Sequence, residues 1–257
     1  MTTYQGGKKR LGKRISRIIK LVENDLYNEK LDYFEPFVGM AGVIRHFSNE
    51  NRKLYANDIN KDIILMWKAI QKGWKPPLTC TEEEYEKLKL SKKHSANRGF
   101  IGTVASWGGI FFHYYRLNYN KNKDFIREGY NGIMEIKPYI IDVNFIDSDS
   151  YDTFKPEGFL IYCDPPYKGN KLGTSSSYFQ TFDHEHFWNI MREWSKNNLV
   201  IISESTAPKD FKKLWSANSI ASNTSGSKKY KDNLYIHVSS YNNIHKNTLQ
   251  NIRNIKN

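Results

Sequence analysis

Asp164, Pro165, Pro166 and Tyr167 directly follow a short apolar run, Phe159–Cys163, whose length and aromatic and β-branched content predict a buried strand. Proline cannot donate to a sheet ladder, so the strand must end at Asp164. The prolines also fix where the Asp164 carboxylate, the Pro165 carbonyl and the Tyr167 ring point. An isolated Asp-Pro is common turn chemistry. The whole tetrapeptide after a buried strand favours a functional site, because open α/β sheets place chemistry at the carboxyl ends of strands.

Two hydrogen-bond acceptors beside an aromatic face suit an exocyclic amine on a nucleobase. Such an amine is a poor nucleophile because its lone pair is delocalised into the ring. Acceptors that hold both N–H groups would localise that lone pair, and the aromatic ring would stack on the base. Asp164, the Pro165 carbonyl and Tyr167 supply these parts. The tetrapeptide resembles the catalytic motif of amino-group DNA methyltransferases that use S-adenosylmethionine, which implies catalytic roles for Asp164, Pro165, Pro166 and Tyr167.

The first half of the chain contains a strand, a glycine-bearing turn and a helical pattern in succession. The strand is predicted over 31–34, the turn over 35–42, and the helix through Val43, Ile44 and Phe47. This order is typical of the first unit of a nucleotide-binding α/β sheet.

The turn resembles the family's Phe-x-Gly-x-Gly loop, which assigns Phe37 and Gly39 to the cofactor. Ala41 stands where the family has its second glycine, and Gly42 follows one position late. This departure affects the path of the loop, although alanine is a small replacement.

Asp58 lies two residues after the second predicted strand, 53–56, and about twenty residues after the glycine turn. At this spacing, nucleotide-binding folds place an acid on the ribose hydroxyls. The alternative is that Asp58 caps the helix marked by Ile63 and Trp67. The resemblance favours cofactor binding by Asp58 and its neighbour Ile59.

Other cofactor contacts are implied by the resemblance alone. The family has an aromatic-x-Gly-Gly-Lys motif at the start of the chain, which Tyr4, Gly7 and Lys8 match before a basic, amphipathic helical pattern. A flexible tail is the alternative there. Asp147, in a predicted strand over 143–149, takes the place of a polar residue near the cofactor adenine, with a capping role as the alternative. The resemblance also places Asp164 beside the cofactor.

The alternation of predicted strands and helices stops over 71–137. Thr81 marks the start of a helix there, and basic residues alternate with aromatics. This composition suits phosphate contacts and base stacking, although most such lysines simply lie on a solvated face. In the alpha arrangement of the family, a target-recognition insert occupies this position. We therefore expect DNA contacts from Lys92, Lys93, Arg98, Arg116 and Asn118, the last two matching an Arg-x-Asn element of such inserts.

The rest of the chain is predicted to complete the sheet. A mobile loop is expected over 168–178, a helix capped by Asp183, and a buried strand over 199–204. A polar, basic loop over 225–231 would precede a late strand over 234–238. The last dozen residues resemble a polar tail.

Composition limits the class of protein further. The 257 residues suffice for one sizeable α/β domain with an insertion, and a formal net charge of +12 suits a polyanionic partner. The two cysteines have no metal-ligand spacing, and neither a signal region nor an apolar run of about eighteen residues occurs. We expect no metal, no membrane association, and a cytoplasmic location (the host cytoplasm for a phage or viral protein).

Together these patterns predict a doubly wound, Rossmann-like α/β methyltransferase, with 1–70 and 138–257 catalytic and 71–137 recognising DNA. It would transfer a methyl group from S-adenosyl-L-methionine to a flipped-out adenine in double-stranded DNA. Residues 203–208 resemble phage-type members, and a cognate restriction endonuclease remains an open partner. The alternatives are a methyltransferase acting on RNA or a protein glutamine amide, which more often has Asn in place of Asp164, and an inactive DNA-binding regulator.

Overall fold

The structure is a computed structural model that describes residues 7–116, 123–167, 182–223 and 226–255, with backbone only for 219–223 and 226–230. Tyr4, Asn118 and the loop expected over 168–178 lie outside the described residues. None of the helices described is long and apolar enough to cross a membrane. Within the same part of the chain, no group of three or more His, Cys, Asp or Glu side chains is placed to hold a metal ion.

A seven-stranded sheet in the order β3-β2-β1-β4-β5-β7-β6 forms the centre of the protein. The first five strands are parallel to one another, and β7 and β6 are antiparallel at one edge. The strands are β1 (Asp32–Glu35), β2 (Leu54–Ala56), β3 (Val143–Phe145), β4 (Phe159–Cys163), β5 (Leu199–Glu204), β6 (Phe211–Asn223) and β7 (Gly226–His237). The order reverses between β1 and β4, so the ends of these two strands form the switch point of a doubly wound sheet.

Helices cover both faces of the sheet. Those in the described part of the chain are α1 (Gly12–Leu26), α2 (Lys61–Gln71), α3 (Glu82–Leu90), α4 (Ala96–Val104), α5 (Phe125–Ile136), α6 (His184–Asn197), α7 (Val238–Tyr241) and α8 (Lys246–Arg253). Alternate residues of β4 show the two faces. Leu160 and Tyr162 pack in the core that contains α1 and α2, whereas Ile161 and Cys163 pack against the apolar side of α6.

The helices between 71 and 137 do not form a separate core. Tyr85 on α3, Phe100 on α4 and Ile133 on α5 are buried in the same cluster as α1 and α2. Gly99 allows α4 to approach α2 closely, because a Cβ there would meet the Asp62 carbonyl oxygen at 2.1 Å. The capping box predicted at Thr81 is present, with Glu84 as its partner.

Three expectations about local structure were wrong. The helix expected after the glycine turn is a single 3-10 turn, Ile44–His46, and Gly39 and Ala41 before it have positive φ angles of 45° and 53°. The expected strand over 143–149 ends at Phe145. The expected polar tail contains α8, whose Ile252 is fully buried.

The loop expected over 225–231 is also wrong, because these residues belong largely to β7. With 13 and 12 residues, β6 and β7 form a hairpin much longer than the five-residue β4. Glu204, the last residue of β5, pairs with Asn233 in the middle of β7. The part of β7 before Asn233 therefore projects past the carboxyl edge of the parallel sheet, where the Asp164 turn lies.

Candidate active site

Asp164 lies at the switch point of the sheet, immediately after β4 and beside the end of β1. Parallel neighbours fix β4 on both sides, with Phe34 paired to Ile161 and Ile202 paired to Cys163. The strand is buried along its length, and Tyr162 is tied to β5 by a 2.7 Å hydrogen bond to the Ser203 hydroxyl. A rigid strand therefore positions the tetrapeptide that follows it.

Four side chains from distant parts of the chain meet at this turn. The Lys8 ammonium lies 2.8 Å from the Asp164 Oδ1 atom and 3.4 Å from the Asp232 Oδ1 atom. It also donates to the Tyr167 hydroxyl at 3.0 Å and lies 4.8 Å from the centre of the Tyr167 ring. The Tyr167 hydroxyl donates in turn to Asp232 Oδ1 at 2.6 Å. We call these four residues the carboxyl-edge cluster.

Burial sets the protonation states in the carboxyl-edge cluster. It raises the pKa of Asp164 to about 6, although the nearby Lys8 charge opposes this change. Burial alone would lower the pKa of Lys8, but Asp164 and Asp232 outweigh it and raise that pKa above the ordinary value. The pKa of Tyr167 lies well above its ordinary range, first because of burial and then because of the two carboxylates. At neutral pH the cluster holds a protonated lysine, a neutral phenol and an ionised Asp164.

A second buried acid, Glu35, ends the neighbouring strand β1. Its carboxylate accepts a 3.0 Å hydrogen bond from the Tyr33 hydroxyl. Burial raises the pKa of Glu35 well above its ordinary value, and the Asp164 charge adds to this effect. Burial and the neighbouring Asp164 charge thus both favour the protonated form of Glu35.

Asp58 holds the glycine loop in place. Its Oδ2 atom accepts from the Gly39 N–H at 2.8 Å, and its Oδ1 atom accepts from the Asn60 N–H at 2.9 Å. Burial raises the pKa of Asp58 to about 6, although these two backbone donors oppose the shift. Asn60, rather than Asp58, caps α2, with its side chain accepting from the Asp62 N–H. Each Asp58 oxygen still has lone-pair capacity for another donor.

The glycine loop contacts the Lys8 segment. A Cβ on Gly42 would lie 3.1 Å from the Lys8 carbonyl carbon, and one on Gly12 would lie 2.0 Å from the Gly42 oxygen. The Lys8 carbonyl accepts from the Leu11 and Gly12 N–H groups at the start of α1. These close backbone contacts fix the chain at Lys8 and leave its side chain directed at Asp164.

The other expected cofactor residues surround this edge at different depths. Phe37 is half-buried with its ring centre 5.1 Å from that of Tyr151, and Gly7 is exposed. Ile59 is 48% exposed, which is unusual for an isoleucine beside a buried acid. Asp147 is exposed shortly after β3, the strand next to β2. The structure thus brings Lys8, Asp164 and Tyr167 into contact and leaves Asp147 apart from them.

The residues expected to contact DNA differ in their surroundings. Lys92 and Lys93 are exposed between α3 and α4. The Arg116 guanidinium lies 3.4 Å from the centre of the Phe125 ring. Arg98 is a correction. Its guanidinium is 3.1 Å from Asp62, donates to the carbonyl oxygens of Leu88 and Ser91, and is only 11% exposed, so it stabilises the helix packing.

Sequence reasoning missed Asp232, which is only 4% exposed. The residue lies in a run of polar residues with no motif, and no local pattern distinguishes it. Its role follows from the register of the β6–β7 hairpin, in which Asp232 pairs with Ala217 at the level of the Asp164 turn. The one usable signal would have been an alternating side-chain pattern indicating a strand over the whole of 226–237.

The strand order and the acid-aromatic turn at the switch point are those of a Rossmann-like methyltransferase fold. Residues 4–128 match the family of D12 class N6 adenine-specific DNA methyltransferases. The match includes Lys8, the glycine loop and Asp58 but ends before the Asp164 turn. It supports methyl transfer as the activity.

No curated protein matches the chain. Among solved structures, the rRNA methyltransferase aviRa from Streptomyces viridochromogenes is similar at 9% sequence identity. The similarity covers 88% of this chain and 85% of that one, with a TM-score of 0.35, which is too low to bear on the function of this chain.

Proposed function

We propose that this protein transfers a methyl group from S-adenosyl-L-methionine to the exocyclic amine of adenine in double-stranded DNA. The single observation that carries this proposal is the Asp164 turn at the switch point. There a rigid strand holds a carboxylate, a proline carbonyl and an aromatic ring together, beside a glycine loop and an acid at the end of β2. The match to the adenine-specific family supports the choice of base.

Asp164 and the Pro165 carbonyl would accept the two N–H groups of the adenine amine. Burial strengthens these hydrogen bonds, since little water competes for the acceptors. Tyr167 would stack on the base. Because duplex DNA hides the adenine amine, the target base would leave the helix to reach this turn.

The residues present fit the cofactor. Asp58 has lone pairs available for ribose hydroxyls, and the exposed Ile59 side chain offers an apolar surface next to it for the adenine ring. Phe37, Gly39 and Gly7 are proposed to line the same site. Asp147, at the neighbouring strand end, would lie near the adenine of the cofactor. When bound, the cofactor supplies a methyl group activated by a positively charged sulfur.

The DNA surface is proposed to include the segment over 71–137. Lys92 and Lys93 are exposed there and suit phosphate contacts, and the net charge of +12 favours a polyanion. Arg116 remains in the proposed set, as does Asn118 on the strength of the sequence. Arg98 does not, because its guanidinium is held by the protein.

Replacing Asp164 with alanine tests the proposal. We expect turnover to fall by about a hundredfold or more, since a positioned acceptor of this kind is typically worth that much. The matched control is Asp32→Ala. Asp32 begins β1 at the opposite edge of the sheet, where it accepts from the Lys53 N–H, and its loss should leave methylation nearly unchanged.

Both variants and the unaltered protein should be incubated with labelled cofactor and with DNA, RNA or protein. Label in DNA adenine that disappears with Asp164→Ala is the expected result. Label in RNA or protein alone would move the activity to the alternative substrate. Near-normal methylation by a folded Asp164→Ala protein would show that the assigned acceptor is wrong.

A further inference from the structure

In this structure the Asp164 carboxylate, which the proposed function assigns to the substrate amine, is already paired with the Lys8 ammonium. The Lys8 ammonium lies 2.8 Å from Asp164 Oδ1 and over the Tyr167 ring, 4.8 Å from its centre. An adenine bound as proposed above would place its amine on Asp164 and its ring on Tyr167. Lys8 therefore occupies the space between Asp164 and the Tyr167 ring that the base would fill, and it must move before the base can bind.

A buried ammonium cannot leave one carboxylate without finding another. Lys8 is 8% exposed, and an uncompensated charge at that depth is strongly unfavourable. Asp232 supplies the alternative, because its Oδ1 atom is 3.4 Å from the same Lys8 nitrogen. The backbone at Lys8 is fixed by Gly12 and Gly42, so the exchange requires only a small rotation of the lysine side chain.

We propose that Asp232 is a positioning residue that takes the Lys8 ammonium from Asp164 when the substrate amine arrives, so that Lys8 keeps the acceptor occupied until then. This inference rests on the proposed function. Asp232 acts through Lys8 and does not touch the substrate.

The surroundings of Asp232 suit this task. The residue lies on β7, next to Asn233, which pairs with Glu204 of β5, so its backbone belongs to the sheet. Its Oδ1 atom also accepts from the Tyr167 hydroxyl at 2.6 Å. Moving Lys8 towards Asp232 therefore keeps Tyr167 in place. The lysine has three N–H donors that can be shared among neighbouring acceptors, whereas an arginine fork would hold one geometry.

The charge balance also favours the exchange. Lys8 and Asp164 alone form a neutral pair, and Asp232 adds a second carboxylate to the same ammonium. With Lys8 held by Asp232, Asp164 keeps its negative charge for the amine. Without Asp232, Lys8 would lose the carboxylate that lies 3.4 Å from its ammonium and would be harder to move from Asp164.

The test is Asp232→Asn, which keeps an oxygen for the Tyr167 hydroxyl and removes the charge that Lys8 needs. The base enters from DNA that is already bound, so the competition should lower kcat by tenfold or more. The Kd values for DNA and for S-adenosylhomocysteine should stay unchanged. The substrate is a duplex containing a site that the unaltered protein methylates. Asp232→Glu, which keeps the charge, should retain much of the activity.

A double-mutant cycle separates action through Lys8 from a structural role. In a Lys8→Met background no ammonium blocks Asp164, so Asp232→Asn should have little further effect on kcat. A duplex with 2-aminopurine at the target position reports the flipped base directly. Its fluorescence should fall in Asp232→Asn and recover in Lys8→Met/Asp232→Asn.

Three results would overturn the proposal while leaving the methyltransferase assignment intact. They are an unchanged kcat in Asp232→Asn, an equal loss in both Lys8 backgrounds, and 2-aminopurine fluorescence that does not recover in the double variant. If Asp232→Asn does not fold, Asp232→Ser removes the same charge with a smaller side chain and is compared in the same two Lys8 backgrounds. Should the unaltered protein transfer no methyl group to DNA, the proposed function fails and the exchange fails with it.

Discussion

The protein buries two clusters of charge at opposite edges of one sheet. At the amino ends of β1 and β2, Arg52 lies 2.7 Å from Glu23 and 2.8 Å from Glu50, and its guanidinium is fully buried. We call these three residues the amino-edge cluster. At the carboxyl ends, Lys8 lies between Asp164 and Asp232. Each cluster joins one central cation to two acids, yet the two differ in how the cation is held.

Arg52 is held in one geometry. Its two terminal nitrogens bond both oxygens of Glu23, and one of them also donates to the Leu31 carbonyl at 2.9 Å. Lys8 instead presents one nitrogen to Asp164, Asp232 and Tyr167 at 2.8, 3.4 and 3.0 Å. A planar fork fixes its partners, whereas an ammonium can exchange them. Buried charge in this fold thus fixes the chain at the amino edge and leaves the cation at the carboxyl edge with partners that it can exchange.

Breaking the amino-edge cluster should have the largest effect on stability. Arg52→Met removes the buried guanidinium and leaves the buried Glu23 with the Lys30 ammonium 3.4 Å away, so we expect a loss of about 3 kcal/mol in the free energy of unfolding. Urea denaturation followed by circular dichroism measures it. Methyl transfer per folded molecule should persist at low temperature, since no contact with the carboxyl-edge cluster is lost.

Arg192→Met is the matched control for Arg52→Met. Arg192 pairs with Asp210 at 2.6 Å, but both side chains are about one-third exposed, at 37% and 33%. A surface pair of this kind contributes below about 1 kcal/mol. Equal losses in the two variants would contradict the distinction between a buried and a surface arginine.

Replacing Asp58, the acid that follows β2, with alanine tests its role in cofactor binding. Loss of its charge-assisted hydrogen bonds should weaken binding of S-adenosylhomocysteine by about 1–3 kcal/mol in calorimetry. Asn60→Ala, which removes the α2 cap beside it, should reduce stability and leave the dissociation constant nearly unchanged. An unaltered dissociation constant for Asp58→Ala would limit Asp58 to holding Gly39.

The activity should depend on the charge of Asp164 and therefore on pH. Asp164 must be ionised to accept an N–H group, and its pKa of about 6 is set by burial, with Lys8 opposing. We expect kcat to fall about tenfold per pH unit below roughly pH 6. Steady-state kinetics at saturating DNA and cofactor between pH 5 and 8 would show this fall.

Stability should change in the opposite direction, which separates loss of charge from unfolding. The pKa of Asp164 is raised from 3.8 in the ordinary state to about 6 in the folded protein, so the folded state binds the proton more tightly. The contribution of Asp164 to stability is full below about pH 4 and is lost as the pH rises through 6. A kcat that stays flat down to pH 5 would exclude an ionised Asp164 as the required form.

Arg116→Ala should have the smallest effect. A base contact would relax preference at one position by roughly 1–3 kcal/mol, whereas a phosphate contact would weaken all DNA about equally and reduce the salt slope by about one. Binding of matched and single-mismatch duplexes at several salt concentrations distinguishes them. Arg127, an exposed arginine on α5, gives the control variant Arg127→Ala. If affinity, preference and slope all match the unaltered protein, Arg116 does not belong to the DNA interface.

The sequence allowed much of the sheet and part of the site to be predicted. The strands leading to Asp164, to the glycine loop and to Asp58 are marked by local patterns of apolar and turn residues, and each pattern fixes its own side chains. The doubly wound order then brings strand ends together by a general rule.

What could not be predicted depends on contacts between distant segments. Asp232 enters the site through the register of a hairpin, and α8 is helical because Ile252 finds a buried place against the rest of the core. Ala41 has a positive φ in the left-handed region, which an alanine in the sequence does not predict. Arg98 lies in a basic segment typical of DNA contacts, but Asp62 and the carbonyl oxygens of Leu88 and Ser91 bind its guanidinium.

The hairpin that carries Asp232 also gives the site an order of assembly. Lys8 and Tyr167 are 159 residues apart, and Asp232 is a further 65 residues along the chain. At synthesis rates of roughly 5–20 residues per second, Asp232 is made about 3–13 s after Tyr167. During that interval a nascent chain has Lys8 and Asp164 to pair with each other but lacks the second carboxylate. Asp232 is therefore the last member of the carboxyl-edge cluster to be synthesised, and it arrives with the final strand of the sheet.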